Sequence, residues 1–201
     1  MTRRPHISHD GHHMTVPDPP TPHEAEGADL CSPEVSLAEL WRETDMRIAS
    51  WPGGALPKES WEPPARPCSL VCGAFDLLHV GHVSLILAAS RNAAALVAVV
   101  YDDASVRRRK GPDRPVIEQA SRARVLASLR RTTHVIIADS DDLSDLIVAI
   151  GPDLVYLSVN TWLPEPKRQQ ISSVARIVYL HRQTGSSTSS VIKRTRYGKS
   201  R

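Results

Sequence analysis

The sequence predicts a doubly wound α/β domain: a five-stranded parallel sheet with helices on both faces, preceded by a largely disordered N-terminal extension. Three observations point there. Short, almost wholly apolar runs recur from Cys68 onward and read as strands buried on both faces. Segments with helical apolar spacing separate them, as βαβ units require. The first 67 of the 201 residues hold 11 of the 16 prolines.

Taken in order, residues 1–30 mix His, Pro, Asp, Glu and Gly with almost nothing to bury, and are expected to be disordered. Five of the nine histidines (His6, His9, His12, His13 and His23) fall here with no fixed metal-binding spacing, which favours a solvated tail over a metal site. Ser32-Pro33-Glu34-Val35 resembles an N-cap with proline at the first helical position, and Leu37, Leu40 and Trp41 form a helical stripe. One helix is expected over about 33–48. Trp41, Trp51 and Trp61 recur in surroundings that do not repeat, and read as anchors of a loose linker. The domain proper is expected to span 68–201, after an extension covering 1–67. Its strands are predicted at 69–73, 95–100, 134–138, 154–157 and 176–180. Its helices are predicted at 81–91, 117–130, 143–150, 167–173 and 187–194.

The charge divides at the same boundary. Residues 1–67 carry 11 acidic and 6 basic side chains, while residues 68–201 carry 11 acidic and 19 basic. An acidic front and a basic body exclude a uniform globule and a general polybasic protein. Three cysteines, with no CxxC pair, argue against a disulfide framework and suit a reducing compartment. No apolar run follows Arg3 and Arg4 as a secretory signal would require, and none approaches the ~18 residues of a membrane span. A cytoplasmic protein is expected.

Ligands of doubly wound sheets bind beyond the carboxyl ends of the strands, so the residues there matter most. After the first predicted strand comes Gly73-Ala-Phe-Asp-Leu-Leu-His-Val-Gly-His82. Gly81 lets backbone approach a ligand, the helix start favours anions, and His79 and His82 can both donate to a phosphate. A zinc pair or two structural histidines are the alternatives, but no cysteine or acid is spaced as zinc motifs require. After the second strand, Asp102 and Asp103 precede a basic loop, Val106 to Pro115, in which Lys110 and Arg114 could close over a polyphosphate. Arg122 lies one turn into the next helix. After the fifth strand, Arg182 and Gly185 precede a run of hydroxyls suited to a phosphate tail.

Together GAFDLLHVGH (73–82), DDAS (102–105), RRKGPDRPV (108–116), SRARVLASL (121–129) and RQTGSSTSSVI (182–192) resemble the nucleotidylyltransferase superfamily. Its marks are HxGH near the N-terminus and an STxx-type motif near the C-terminus. Within it the chain is similar to the cytidylyltransferase-like branch, over about Pro67 to Arg194. The resemblance implies a Rossmann-like domain that transfers a nucleoside monophosphate from ATP or CTP to a sugar-phosphate-type acceptor and releases pyrophosphate. The adenylyltransferase half of the bifunctional enzymes that make ADP-heptose is the first comparison. Glycerol-3-phosphate or alcohol-phosphate cytidylyltransferases are the alternative.

Carried over by position, the resemblance makes His79, His82, Lys110 and Arg182 catalytic. Gly73, Ala74, Phe75, Gly81, Arg122, Gly185, Ser187 and Thr188 would bind nucleotide or phosphate. Asp76, Asp103, Asn160 and Trp162 are candidates for the loops that shape the acceptor or base pocket. Mg²⁺ would arrive with the triphosphate, with no protein ligand assigned to it. A homodimer is implied by the same resemblance. One segment departs from it: heptose-type enzymes resemble KGGDY after the fourth strand, where this chain has Leu157-Ser-Val-Asn-Thr161. That change motivates a second reading, a nucleotide-binding regulatory module with weak turnover. A third reading, nucleic-acid binding through Lys193, Arg194, Arg196, Lys199 and Arg201, lacks aromatic interleaving beyond Tyr197.

Overall fold

A computed structural model describes residues 37–51, 61–159, 161 and 163–180. The expected helix at 187–194 and the expected cap at Ser32-Pro33 lie outside these residues. Twelve elements follow one another: α1 (Leu37–Asp45), β1 (Ile48–Trp51), β2 (Cys68–Gly73), α2 (Val80–Ser90), β3 (Ala95–Tyr101), α3 (Asp103–Lys110), α4 (Gln119–Ala127), β4 (His134–Ala138), α5 (Leu143–Ile150), β5 (Leu154–Ser158), α6 (Glu165–Ser172) and β6 (Arg176–Leu180).

The six strands form one sheet in the order β1-β4-β3-β2-β5-β6, with every pairing parallel. β3 is central and buried along all seven residues, which its unbroken run ALVAVVY permits because both faces of a parallel sheet are covered. On one face Ile86 and Ala89 of α2 and Ala123, Leu126 and Ala127 of α4 pack on Val71, Leu96, Ala98 and Val100. On the other, Leu143, Leu146, Ile147 and Ile150 of α5 and Ile171 of α6 pack on Leu70, Val97, Val99 and Val155. The doubly wound α/β architecture is therefore as expected, with two corrections.

The described residues form six strands, not five. The additional strand, β1, lies in the stretch read as a loose linker. The helix expected over 33–48 ends at Asp45, and after a two-residue turn Ile48 to Trp51 align with Val135 to Ala138 of β4. Burial alternates along β1, with Ala49 and Trp51 inward, and four residues ending before Pro52 give a sequence pattern too little length to register. α1 is tied to α4 by Arg124, whose guanidinium makes paired 2.9 Å bonds to Asp45 and lies 5.8 Å from the centre of the Trp41 ring.

The second correction concerns the basic run after β3, which is helical through Lys110 rather than a loop. Asp102 caps α3 by accepting from the Ser105 amide at 2.7 Å, and Arg107, Arg108, Arg109 and Lys110 fill its last turn. Acid at the start and cations at the end both complement the helix dipole. Gly111 then reverses the chain at φ +95°, a conformation that favours glycine.

Chain direction in the sheet reverses its spread at β2. From there the chain winds outward through β3 to β4, then crosses back to place β5 and β6 on the opposite side. Such a switch point opens a crevice beyond the strand ends, and the segment leaving β2 borders it.

Candidate active site

The segment from Gly73 to His82 forms this border, and its conformation is held at both ends. Phe75 and Leu77 have φ values of +48° and +54°, left-handed geometry in residues that carry a Cβ. Each such residue costs about 1–3 kcal/mol, so the surroundings must enforce the shape. The Phe75 side chain is buried in the α2/α4 core, which supplies part of that enforcement.

Buried ionic groups supply the rest. Asp76 is 1% exposed and accepts from Arg114 Nε at 2.7 Å and from the amides of Val116 and Ile117 at 3.0–3.1 Å. Arg122 is 2% exposed and donates to the Ala74 carbonyl, to the Ile117 carbonyl at 2.8 Å and to the Asp103 carboxylate at 2.6 Å. The Asp103 amide in turn donates to Gln119 Oε1 at 2.8 Å. Two ion pairs, Asp76–Arg114 and Asp103–Arg122, therefore link the β2–α2 segment, the start of α3, residues 111–118 and α4.

Burial pushes the Asp76 carboxyl up, but the Val116 and Ile117 amides and the Arg114 guanidinium outweigh it and hold the group below its ordinary value of 3.8. A carboxyl that titrates lower when folded adds stability that is intact above its unfolded pKa and lost as pH falls through the folded one. The urea-unfolding midpoints of the protein and its Asp76→Asn variant should therefore differ steadily from pH 7 to about 5, then converge below about pH 4. A gap that stayed constant down to pH 2.5 would show that the carboxylate charge contributes nothing.

At the far end of the segment, His79 caps α2. Its backbone is extended, and its Nδ1 accepts from the Gly81 amide at 3.1 Å. That bond assigns the ring proton to Nε2. His82 lies in the first turn of α2, and its ring stacks on that of His79 with centroids 3.9 Å apart and planes 25° from parallel. Phe75 also contacts His82, with ring centroids 5.2 Å apart and planes tilted by 53°. Two imidazoles thus sit together at the positive end of a helix dipole, at the switch point of the sheet. A phosphate placed there meets the two rings and the positive end of α2, whose Gly81 and His82 amides are already bonded to His79.

Gly73, Ala74, Phe75, Asp76, His79, Gly81 and His82 are brought together on this one segment, with Asp103 and Arg122 joined to it by hydrogen bonds. Lys110 is exposed at the end of α3, four residues before the buried Arg114. At Gly73 a Cβ would meet the Phe75 ring at 3.5 Å, ordinary contact, so packing alone does not demand glycine there. Asn160, Trp162, Arg182, Gly185, Ser187 and Thr188 lie outside the described residues. Among the described residues no group of three or more His, Cys, Asp and Glu side chains could hold a metal ion, and no helix is long and apolar enough to cross a membrane.

Sequence reasoning missed two anchors of α3. Arg108 forms a forked pair with Asp139 at 2.6–2.7 Å and reaches Asp141 at 3.2 Å, while Arg109 lies over the Tyr101 ring at 5.5 Å. The Tyr101 hydroxyl donates to Cys72 at 3.4 Å, and burial pushes the Cys72 thiol up to about 11. Only a helical reading of 103–110 would have set Arg108 and Arg109 apart from their neighbours.

Comparison with known proteins agrees with this geometry. Residues 70–194 match the family model described as cytidylyltransferase-like. A protein called bifunctional protein HldE from Magnetococcus marinus is 36% identical over 119 residues, covering 59% of this chain and 24% of that one. Its namesake from Mesorhizobium japonicum is 36% identical over 141 residues, covering 69% and 28%. That from Methylobacillus flagellatus is 43% identical over 97 residues, covering 48% and 20%. The chain thus spans between a fifth and about a quarter of the curated relatives it matches. Among solved structures, a lipopolysaccharide core biosynthesis protein from Thermoplasma volcanium shares the fold at a TM-score of 0.51 and 23% identity, over 58% of this chain and 97% of that one.

Proposed function

The chain belongs to the cytidylyltransferase-like family, and on that premise we propose that it is a nucleotidyltransferase that joins a nucleoside monophosphate to a phosphorylated acceptor and releases pyrophosphate. The stacked His79–His82 pair at the start of α2 is the observation that carries the reading. An oxygen of the acceptor phosphate attacks the α-phosphorus in line, the bond from that phosphorus to the bridging oxygen breaks, and pyrophosphate leaves. Such a reaction asks the protein for alignment and charge stabilisation rather than for covalent chemistry.

His79 Nε2–H and His82, at the positive end of α2, would hold the α/β-phosphates and meet the charge that develops on them. Mg²⁺ enters with the nucleoside triphosphate, as part of the substrate. Gly73 and Ala74, at the end of β2, would lie along the nucleotide. Asp76 and Asp103 pair with Arg114 and Arg122, and Lys110, exposed at the end of α3, would contact phosphate from the facing side. Arg182, Gly185, Ser187 and Thr188 take the β/γ-phosphates, on the strength of the sequence GSSTSS. ATP and a sugar phosphate are the favoured pair, supported by the wording of residues 109–116 and 185–190. A homodimer belongs to the same proposal.

The test is pyrophosphate release across a panel of nucleoside triphosphates and acceptor phosphates. Turnover with ATP and a sugar 1-phosphate is expected. Turnover only with CTP and a polyol phosphate would shift the substrate class. Nucleotide binding without release from any acceptor would overturn the enzyme reading.

A further inference from the structure

We propose that Asp76, Arg114 and Arg122 are positioning residues, a two-armed clamp that sets the orientation of the His79–His82 pair without touching substrate. The inference rests on the nucleotidyltransferase reading of the same site. It departs from a phosphate-contacting Arg122 and an acceptor-facing Asp76, the roles their positions in the sequence suggest.

The geometry argues for this in three steps. First, both groups are spent inward. Asp76 and Arg122 are 1% and 2% exposed, and among the described residues their partners include the backbone of residues 74 and 116–117 and the buried or half-buried side chains of Arg114 and Asp103. A guanidinium that spans two carbonyls and a carboxylate at 2% exposure presents almost no surface to a phosphate. Second, the two arms grip either side of Phe75. Arg122 holds the carbonyl of residue 74 and Asp76 is fixed one residue further on, so the left-handed φ of Phe75 lies between two anchored peptides. Third, Phe75 is in ring contact with His82, which stacks on His79. Rotation at residue 75 therefore moves the ring on which the histidine pair rests. Arg122 and Asp76 also share a support, since Arg122 binds the carbonyl of Ile117 while Asp76 binds its amide.

A displacement of about 1 Å in a reacting group is enough to cost roughly 10²-fold in rate, so a clamp of this kind acts on turnover more than on binding. A guanidinium that bound phosphate would act on nucleotide affinity, and a lysine in its place would restore part of it as a point charge.

The experiment uses the full chain with Asp76→Asn and Arg122→Lys. Three quantities are measured: kcat and KM for the nucleotide from pyrophosphate release, thermal unfolding, and the imidazole ¹⁵N–¹H correlations of His79 and His82, assigned from His79→Gln and His82→Gln. The expected result is a kcat lower by roughly 10²-fold in both variants, KM within about threefold, and shifted imidazole signals in a folded protein. Asp76→Asn keeps shape and an acceptor oxygen, and it decides the matter if Arg122→Lys does not fold.

The proposal is overturned if Arg122→Lys keeps kcat while raising KM, which assigns the arginine to phosphate. It is equally overturned if kcat falls only in proportion to the unfolded fraction, with imidazole signals of the folded form unchanged. If the unaltered protein releases no pyrophosphate, the function reading fails instead. The imidazole signals of the two variants then decide the clamp by themselves.

Discussion

Replacing His82 by alanine is expected to slow pyrophosphate release by about 10²–10³-fold, the usual cost of removing one donor aimed at developing charge. The ring contacts both Phe75 and His79 at the start of α2, so its loss removes a donor and leaves the neighbouring imidazole without its stacking partner. His79 has two duties that variants can separate. Its Nδ1 caps α2 through the Gly81 amide, while Nε2 carries the proton offered to phosphate. His79→Ala should lose both, giving the rate loss together with about 1 kcal/mol of stability. His79→Asn keeps a good capping acceptor and no imidazole, so stability should return while the rate does not. Steady-state pyrophosphate release and urea unfolding of the three variants check this. An active His82→Ala protein would remove the stacked pair from the mechanism.

The largest expected effect on stability lies far from the histidines. Trp51→Ala should cost about 3–5 kcal/mol, as truncations of large buried aromatic residues do. Trp51 ends β1 opposite Ala138 and is 6% exposed, packed into the core on the α5 face. Its indole N–H has no partner among the described residues. Trp51→Phe keeps most of the volume and discards that donor, so it should stay within about 1.5 kcal/mol of the unaltered protein. Urea midpoints measure both. An alanine variant as stable as the original would mean that β1 adds nothing to the sheet.

Much of this molecule is legible in the sequence because its strands are either wholly apolar or bounded by turns. β4, α5 and β6 carry the same bounds in the structure as the sequence predicts, and Gly151, in left-handed conformation, ends α5 where the apolar period stops. β1 was hidden by its four-residue length, since its pairing is decided by Val135 to Ala138, far along the chain. α3 was hidden for another reason. Four consecutive cations suggest a solvated loop, and only the Asp102 cap and the favourable dipole reveal the helix. At the site, the histidine spacing announces a phosphate-binding turn. The inward commitment of Asp76 and Arg122 could not be read, because a buried ion pair and a substrate contact use the same residue types.

β1 also carries a consequence in time. Ile48 aligns with Val135, and Trp51 with Ala138, so a strand made early in synthesis has a partner that leaves the ribosome 87 residues later. For several seconds at ordinary elongation rates, Trp51 has no sheet to join. The pairings β2–β3, β3–β4 and β5–β6 close over 27, 37 and 22 residues, whereas β1–β4 and β2–β5 close over 87 and 85. Seating β1 therefore waits for β4 to emerge. Until it happens, the flank of β4 is an unpaired row of amides and carbonyls that another nascent copy could occupy.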